Sequence, residues 1–347
     1  MAETSMKVAV MTAPRKMDFV YRPIPAPGPG EVLVKVSYVG ICGSDLHYYE
    51  SGRIGQFVVE PPFVLGHEAS GVVVQIGEGV DRLRVGDRVT MEPGRTCGHC
   101  EYCRTGRYNL CPKVSFFATP PVDGVFQEYV VHEADLCFRL PESVSMLQGA
   151  LVEPMAVGFY AAQQGQAQPG RSAIVFGAGC IGLVTVMALR NRGLTRIYCA
   201  DMVENRLEMA QALGAIPLRV GVDDLEARVG GASSIDLILD TSGAAESITR
   251  AIHLVKKGGT VVLVGYSKED TMALPVNRMI DKEITLRTIF RYRHMYPEII
   301  DALAAGILQP ENIVTNIFAF DELPEAMERS VMEKRNIVKA VIRFEDQ

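Results

Sequence analysis

The chain has 347 residues, 48% of them hydrophobic, which is enough to bury a large core and to divide into two domains. A formal net charge of -6, with no run of Lys and Arg, argues against nucleic acid or an anionic membrane surface as the main partner. No charged leader followed by an apolar stretch opens the chain and no apolar run is long enough to span a bilayer, so the expected compartment is the cytosol. In that setting eight cysteines read as metal ligands and buried thiols rather than disulfides.

The first half is punctuated like a β-domain. Met6 to Met11 is a short apolar strand, and Pro23, Pro25, Pro27 and Pro29 then exclude helix or central strand. Glu31 to Val36 places Val32, Val34 and Val36 on one face, the alternation of a half-buried strand. Gly71 to Ile76 and Arg88 to Met91 are further strands, the latter after the turn Gly86-Asp87. Short strands separated by Gly and Pro predict a partly open barrel, with the segments around Cys42 and His67 in its loops.

Those two segments carry chemistry. A His-Glu pair such as His67-Glu68 is by itself more often a core histidine beside a solvated acid. Here Gly40-Ile41-Cys42-Gly43-Ser44-Asp45 lies upstream and Glu153-Pro154 downstream. Cys42, His67, Glu68 and Glu153 then offer one sulfur, one nitrogen and two oxygen donors. That suits three protein ligands and one open position, the form of a catalytic zinc site. A second set follows: Cys97, Cys100 and Cys103, closed by Cys111. Four thiolates can surround one ion and shut out substrate, which predicts a structural zinc. Two disulfides are the bland alternative, and an iron–sulfur cluster is the sharper one, because Cys111-Pro112 echoes ferredoxin spacing. His99, between two of the cysteines, reads as a surface residue.

From about Leu147 strands and helices alternate, the sign of a parallel α/β sheet. Ser172 to Phe176 is a buried strand that runs into Gly177-Ala178-Gly179-Cys180-Ile181-Gly182 and an apolar helix from Leu183 to Leu189. Gly177 permits the tight turn, Gly179 lets the backbone approach a pyrophosphate, and Gly182 permits close helix–strand packing. A second strand, Ile197 to Asp201, ends in a carboxylate suited to a ribose and hostile to a 2′-phosphate. A plain turn with Asp201 as a helix cap remains the simpler alternative. Arg206 reads equally as an adenosine contact or a solvated helix residue. Strands are also predicted at Asp236 to Asp240, Thr260 to Gly265 and Ile284 to Ile289. The turns at Thr241 to Gly243 and Val264 to Tyr266 fall at strand ends that bind ligands. Helices near Tyr296 to Ile307 and Leu323 to Lys334 precede a last strand, Ile337 to Arg343, expected to return to the first domain.

Taken together these residues resemble the zinc-dependent medium-chain dehydrogenases, and within them the sorbitol (polyol, L-iditol 2-) dehydrogenase branch. Gly66-His67-Glu68, the four-cysteine lobe and the Gly177 to Gly182 turn are the general markers. Gly43-Ser44-Asp45-Leu46-His47-Tyr48, Gly52-Arg53-Ile54-Gly55, Phe117 to Gly124 and Phe290-Arg291-Tyr292 are the finer ones. The resemblance implies an α/β protein: a GroES-like β-rich catalytic domain from residues 1–148 and 291–347, and a Rossmann domain with a doubly wound parallel sheet from 149–290. It implies a catalytic zinc on Cys42, His67 and Glu68, with Glu153 binding directly or through water, and a structural zinc on the four cysteines. Ser44 and His47 would relay a proton, and Tyr48, Phe116, Arg291 and Tyr292 would line the substrate pocket. Ile181, Asp201, Arg206, Val264, Gly265, Tyr266, Ile289 and Phe290 would join the glycine turn in holding NAD. The activity implied is oxidation of a polyol to a ketose with hydride transfer to NAD⁺, in a homotetramer. Other readings are a related zinc alcohol or threonine dehydrogenase, and a non-catalytic NAD-binding sugar sensor.

Overall fold

The computed structural model describes residues 4–344; the outermost residues of the two catalytic-domain segments, 1–3 and 345–347, lie outside the described residues. Two compact units form, one from the chain up to Glu153 and from Tyr296 onward, the other from Pro154 to Met295.

The first unit is built on a mixed sheet whose strands run in the order Cys137–Arg139, Arg88–Met91, Glu68–Ile76, Glu31–Gly40, Ala340–Arg343 and Asn316–Ala319. Strand Tyr129–Glu133 also pairs with Glu31–Gly40. Val32, Val34 and Val36 are buried as their alternation predicts. The register against Glu68–Ile76 then slips between Val36 and Tyr38, an irregularity that changes the phase so that Val39 also turns inward. The first strand, Ser5–Ala13, pairs with Lys16–Pro23 in a separate hairpin that the sequence reading did not foresee. Isolated bridges Val8 to Gln127 and Met11 to Phe63 attach this hairpin to the rest of the unit. The predicted barrel is therefore an open sheet, with the hairpin joined to its unit by these bridges rather than by a continuous ladder. The last strand, Ala340–Arg343, pairs antiparallel with Glu31–Gly40, so the C-terminal segment completes the N-terminal sheet.

The second unit is a six-stranded sheet, parallel throughout, in the order Ile216–Arg219, Arg196–Asp201, Ser172–Phe176, Ile235–Asp240, Val255–Leu263 and Thr285–Thr288. In order of appearance this is 3-2-1-4-5-6, the doubly wound arrangement with its switch point between the Ser172 and Ile235 strands. Both of those central strands are buried along their whole length, which explains their unbroken apolar runs. The edge strand Ile216–Arg219 escaped the sequence reading because Pro217 interrupts it, and an edge is where a strand tolerates proline. Among the described residues no helix is long and apolar enough to cross a membrane.

Glu92 ties the four-cysteine lobe to the first sheet. It is buried just after the Arg88–Met91 strand, and the Tyr108 hydroxyl, three residues before Cys111, donates to its Oε1 at 2.7 Å. Its carbonyl meets Nε2 of the buried His132 at 2.8 Å. Burial pushes the Glu92 carboxyl from its ordinary 4.5 up to about 7, against the opposing hydrogen bond from Tyr108. The folded state thus keeps a proton that the unfolded chain releases. Stability from this group is unchanged below about pH 4.5, falls as the pH rises to about 7, and stays lowered above that. Glu92→Gln should remove this slope and raise the melting temperature of the protein above pH 7 relative to wild type. Identical stability profiles from pH 5 to pH 8 would refute the assignment.

Candidate active site

In the first unit a helix, Gly43–Ser51, starts directly after Cys42. Asp45, in its first turn, reaches back so that Oδ2 accepts from the Cys42 amide at 3.0 Å, the backward half of a capping box. Its Oδ1 accepts from the Gly66 amide at 3.0 Å and stands 3.5 Å from Nδ1 of His67. One buried carboxylate therefore orients both Cys42 and His67. With Nδ1–H directed at Asp45, His67 keeps its Nε2 lone pair for a metal. Burial alone would lower the His67 pKa, yet the Asp45 carboxylate and Cys42 raise it well above the ordinary value. Asp45 itself is held low despite burial, by His67 and by the Cys42 and Gly66 amides.

Cys42, His67 and Glu68 bring their ligand atoms within 4.8 Å of one another. One sulfur, one imidazole nitrogen and one carboxylate oxygen converging this closely fit zinc, a borderline ion that takes all three donor types. Glu153 is not a member of this cluster; it lies buried in the first turn of the helix Val152–Gln164. Glu68 is also gripped from behind, where its Oε2 accepts from the ammonium of Lys339, a fully buried lysine.

Around the cluster, Ser44, His47 and Tyr48 occupy one face of the Gly43–Ser51 helix at spacings of three and four residues. Tyr48 is buried, Ser44 half-buried and His47 exposed, so that face runs from the interior to solvent. The ring of Phe116 lies 5.7 Å from that of His67. Arg291 and Tyr292 belong to the second unit, after its last strand. Arg291 adopts a positive φ of 55° and lies over the Phe290 ring at 4.8 Å, while Tyr292 is buried.

The four cysteines form a separate cluster. The sulfur of Cys111 is 3.6 Å from that of Cys97, and Cys103 lies 3.5 Å from Cys100 and 3.9 Å from Cys97. Sulfurs about 2.3 Å from one tetrahedral ion stand roughly 3.8 Å apart, so the spacing fits a single ion. Disulfide bonding needs sulfurs at about 2.0 Å, and none of the four is bridged. A four-iron cluster of the ferredoxin type, whose four cysteines each bind a different iron, needs them spread further. His99 is exposed and outside the set.

In the second unit the predicted cofactor residues meet at the carboxyl ends of the central strands. Gly177 ends its strand with φ 93°, and a side chain on Gly182 would strike the Gly177 carbonyl at 1.8 Å. These two glycines are the turn and the close approach that the fingerprint requires. Asp201 closes the next strand, its Oδ2 accepting from the Ala178 amide at 2.7 Å and Oδ1 from Val203 at 2.9 Å. The Val203 bond is the local cap-like role foreseen as the simpler alternative. Both oxygens nevertheless keep a lone pair for further donors. The Arg206 guanidinium lies beside Gly179, about where a side chain on that glycine would reach it, at 4.0 Å. Gly243 backs directly onto the Tyr266 carbonyl, and Gly265 onto Thr241, so the two later turns pack against each other. Tyr266 is 79% exposed, Ile181 sits in the first turn of the helix Cys180–Asn191, and Ile289 donates to the Leu263 carbonyl at 3.2 Å.

Sequence reasoning missed Asp45 and Lys339. For Asp45 a signal existed, a carboxylate three residues after Cys42, in capping-box register. For Lys339 there was none.

Profiles of the alcohol dehydrogenase GroES-like domain and of the zinc-binding dehydrogenase match residues 28–142 and 180–305. The sorbitol dehydrogenase of Bacillus subtilis (strain 168) is 40% identical over 343 residues, which is 97% of this chain and 97% of that one. An oxidoreductase/dehydrogenase of unknown specificity from Escherichia coli superposes with a TM-score of 0.94 at 39% identity, over 99% of this chain and 100% of that one. An alcohol dehydrogenase from Escherichia coli CFT073, solved in complex with NADH, does so with a TM-score of 0.92 at 30% identity, over 99% and 100%. Identity at this level across almost the full length of both chains reflects common descent rather than a common fold alone, and the chain belongs to the zinc-dependent medium-chain dehydrogenases, on the branch that contains the sorbitol dehydrogenases.

Proposed function

We propose that the chain oxidises a secondary hydroxyl of a polyol to the ketone of a ketose, with hydride transfer to NAD⁺. The observation that carries this reading is the convergence of Cys42, His67 and Glu68 beside a helix that begins at Cys42 and presents Ser44, His47 and Tyr48. Zinc held by that set supplies Lewis acidity at the reacting alcohol. Ser44 Oγ accepts the hydroxyl proton and His47, exposed on the same helix face, passes it to water. Tyr48, Phe116, Arg291 and Tyr292 hold the polyol chain, and Glu153 adds a second carboxylate near the metal. The glycine turn, Asp201, Arg206 and the residues from Val264 to Tyr266 and at Ile289 and Phe290 hold the dinucleotide. Sorbitol dehydrogenase of Bacillus subtilis at 40% identity supports the polyol class, and the NADH complex of the Escherichia coli relative supports the cofactor. The same reading makes the enzyme a cytosolic homotetramer in carbohydrate metabolism.

The reading requires two zinc ions per chain with different lability. The four-cysteine site is closed and should resist chelation, whereas the Cys42 site is open and should lose its zinc first, and activity with it. Elemental analysis that finds one zinc, or iron with visible colour, would contradict this.

NAD⁺ should be preferred to NADP⁺, because a 2′-phosphate beside Asp201 sets like charges at close range. Asp201→Ser should weaken NAD⁺ and admit NADP⁺. A wild-type enzyme that uses both equally well would remove Asp201 from the cofactor site.

Substrate class is tested by NADH formation over a panel of sorbitol, xylitol, galactitol, L-iditol, threonine and 2-butanol. Arg291 carries donors and no acceptors, so polyol hydroxyls beyond the reacting carbon can match it where 2-butanol cannot. Since an unmatched buried donor costs about 1–3 kcal/mol, Arg291→Met should lower polyol kcat/KM roughly tenfold or more while changing that for 2-butanol little. An equal loss on both substrates would move Arg291 to the cofactor or the fold, and turnover of threonine alone would overturn the polyol reading.

A further inference from the structure

Lys339 is 2% exposed, in a protein interior where an unpaired ammonium is costly. It lies immediately before the strand Ala340–Arg343, and its ammonium donates to the Ile41 carbonyl at 3.1 Å and to Oε2 of Glu68. Room for this pair exists because residue 40 is glycine. A side chain there would meet Glu68 Oε2 at 2.0 Å and the Lys339 ammonium at 3.0 Å. Gly40 stands opposite Glu68 on one edge of its strand and opposite Val341 on the other, so both ladders aim the ion pair into the space it leaves. Ile41, whose carbonyl shares the ammonium, is the neighbour of Cys42.

We infer that Lys339 is a positioning residue that competes with the metal for Glu68 and thereby keeps the zinc at Cys42, His67 and Glu68 exchangeable. The inference rests on the zinc reading of that set. The carboxylate of Glu68 is shared: one oxygen is taken by the lysine, and a metal must be served by what remains. The ammonium also sets a like charge close to any cation bound there, in surroundings with little water to screen it. Both effects weaken metal binding. In the metal-free chain the same ammonium supplies the counter-charge without which Glu68 would be a buried, unpaired carboxylate. Removing Lys339 should therefore tighten the hold on zinc while destabilising the metal-free protein. A lysine that merely supported the fold would do the reverse to zinc, because a loosened site releases its metal faster.

The experiment follows zinc release from the fully loaded enzyme into an excess of a chromogenic chelator, whose absorbance counts the ions released, together with thermal melts with and without zinc. Outer groups around metal sites change affinity by about 10–100-fold. Lys339→Met, and Lys339→Gln as a polar second variant, should release the labile zinc about tenfold or more slowly than wild type. Their metal-free forms should melt lower, with a larger gain on adding zinc. Lys339→Arg, which keeps the charge, should behave as wild type. Two zinc ions per chain with release from Lys339→Met as fast as wild type or faster would overturn this inference alone. A wild-type chain that holds a single zinc would overturn the metal reading and this inference with it.

Discussion

The strand Glu31–Gly40 is paired on both edges at its carboxyl end, and the chemistry of the first unit depends on that double ladder. Glu68 stands across one edge and Val341 across the other, both opposite Gly40. Cys42 emerges two residues further on, His67 precedes the partner strand by one residue, and Lys339 precedes the other partner by one. Groups as much as 298 residues apart are thereby brought into contact. The ladder hydrogen bonds set the positions of the backbone, and the glycine between the two partners leaves the volume for charged side chains. Closing so long a loop costs only a little more entropy than closing a short one, because the cost grows with the logarithm of length. A return strand from the far end of the chain is thus a feasible way to complete the site.

The two metal sets differ in what holds them. Cys97, Cys100, Cys103 and Cys111 lie within one short lobe, and their sulfurs reach ion-binding separations through local turns and a short helix. Cys42, His67 and Glu68 come from two different segments and depend on the sheet and on Asp45, which holds the first two by its two oxygens. Local ligands can form a closed site that is indifferent to the rest of the fold. Ligands gathered across a sheet can leave one side open, which is what a reacting alcohol needs.

The residues proposed to hold the cofactor follow a separate logic. In a parallel sheet every strand ends at the same edge, and where the winding reverses direction the loops of neighbouring strands part. Gly177 to Gly182, Thr241 to Gly243 and Val264 to Tyr266 all lie at that edge. The contacts of Gly243 with Tyr266 and of Gly265 with Thr241 show how closely these loops pack. Asp201 takes two backbone amides, which fix the direction of its carboxylate.

Much of this was legible in the residues themselves. The alternation of Val32, Val34 and Val36, the apolar run from Ser172 to Phe176, the glycine turn and the cysteine spacing all express short-range rules. A strand shows its period within six residues, and a metal lobe or phosphate turn shows its donors within fifteen. The grouping of Cys42 with His67 and Glu68 was legible from their donor types, and the resemblance to a known family added Ser44 and His47 as a proposed relay. What only the tertiary structure decided are relations between distant segments: the hairpin of Ser5–Ala13 with Lys16–Pro23, the register that sets Gly40 against both Glu68 and Val341, and the slip that turns Val39 inward. Lys339 is the sharpest case. In sequence it is one lysine among 35 Lys and Arg residues, beside an ordinary short strand. It meets Glu68 only because a ladder carries it to a position where a glycine has left room for its charge.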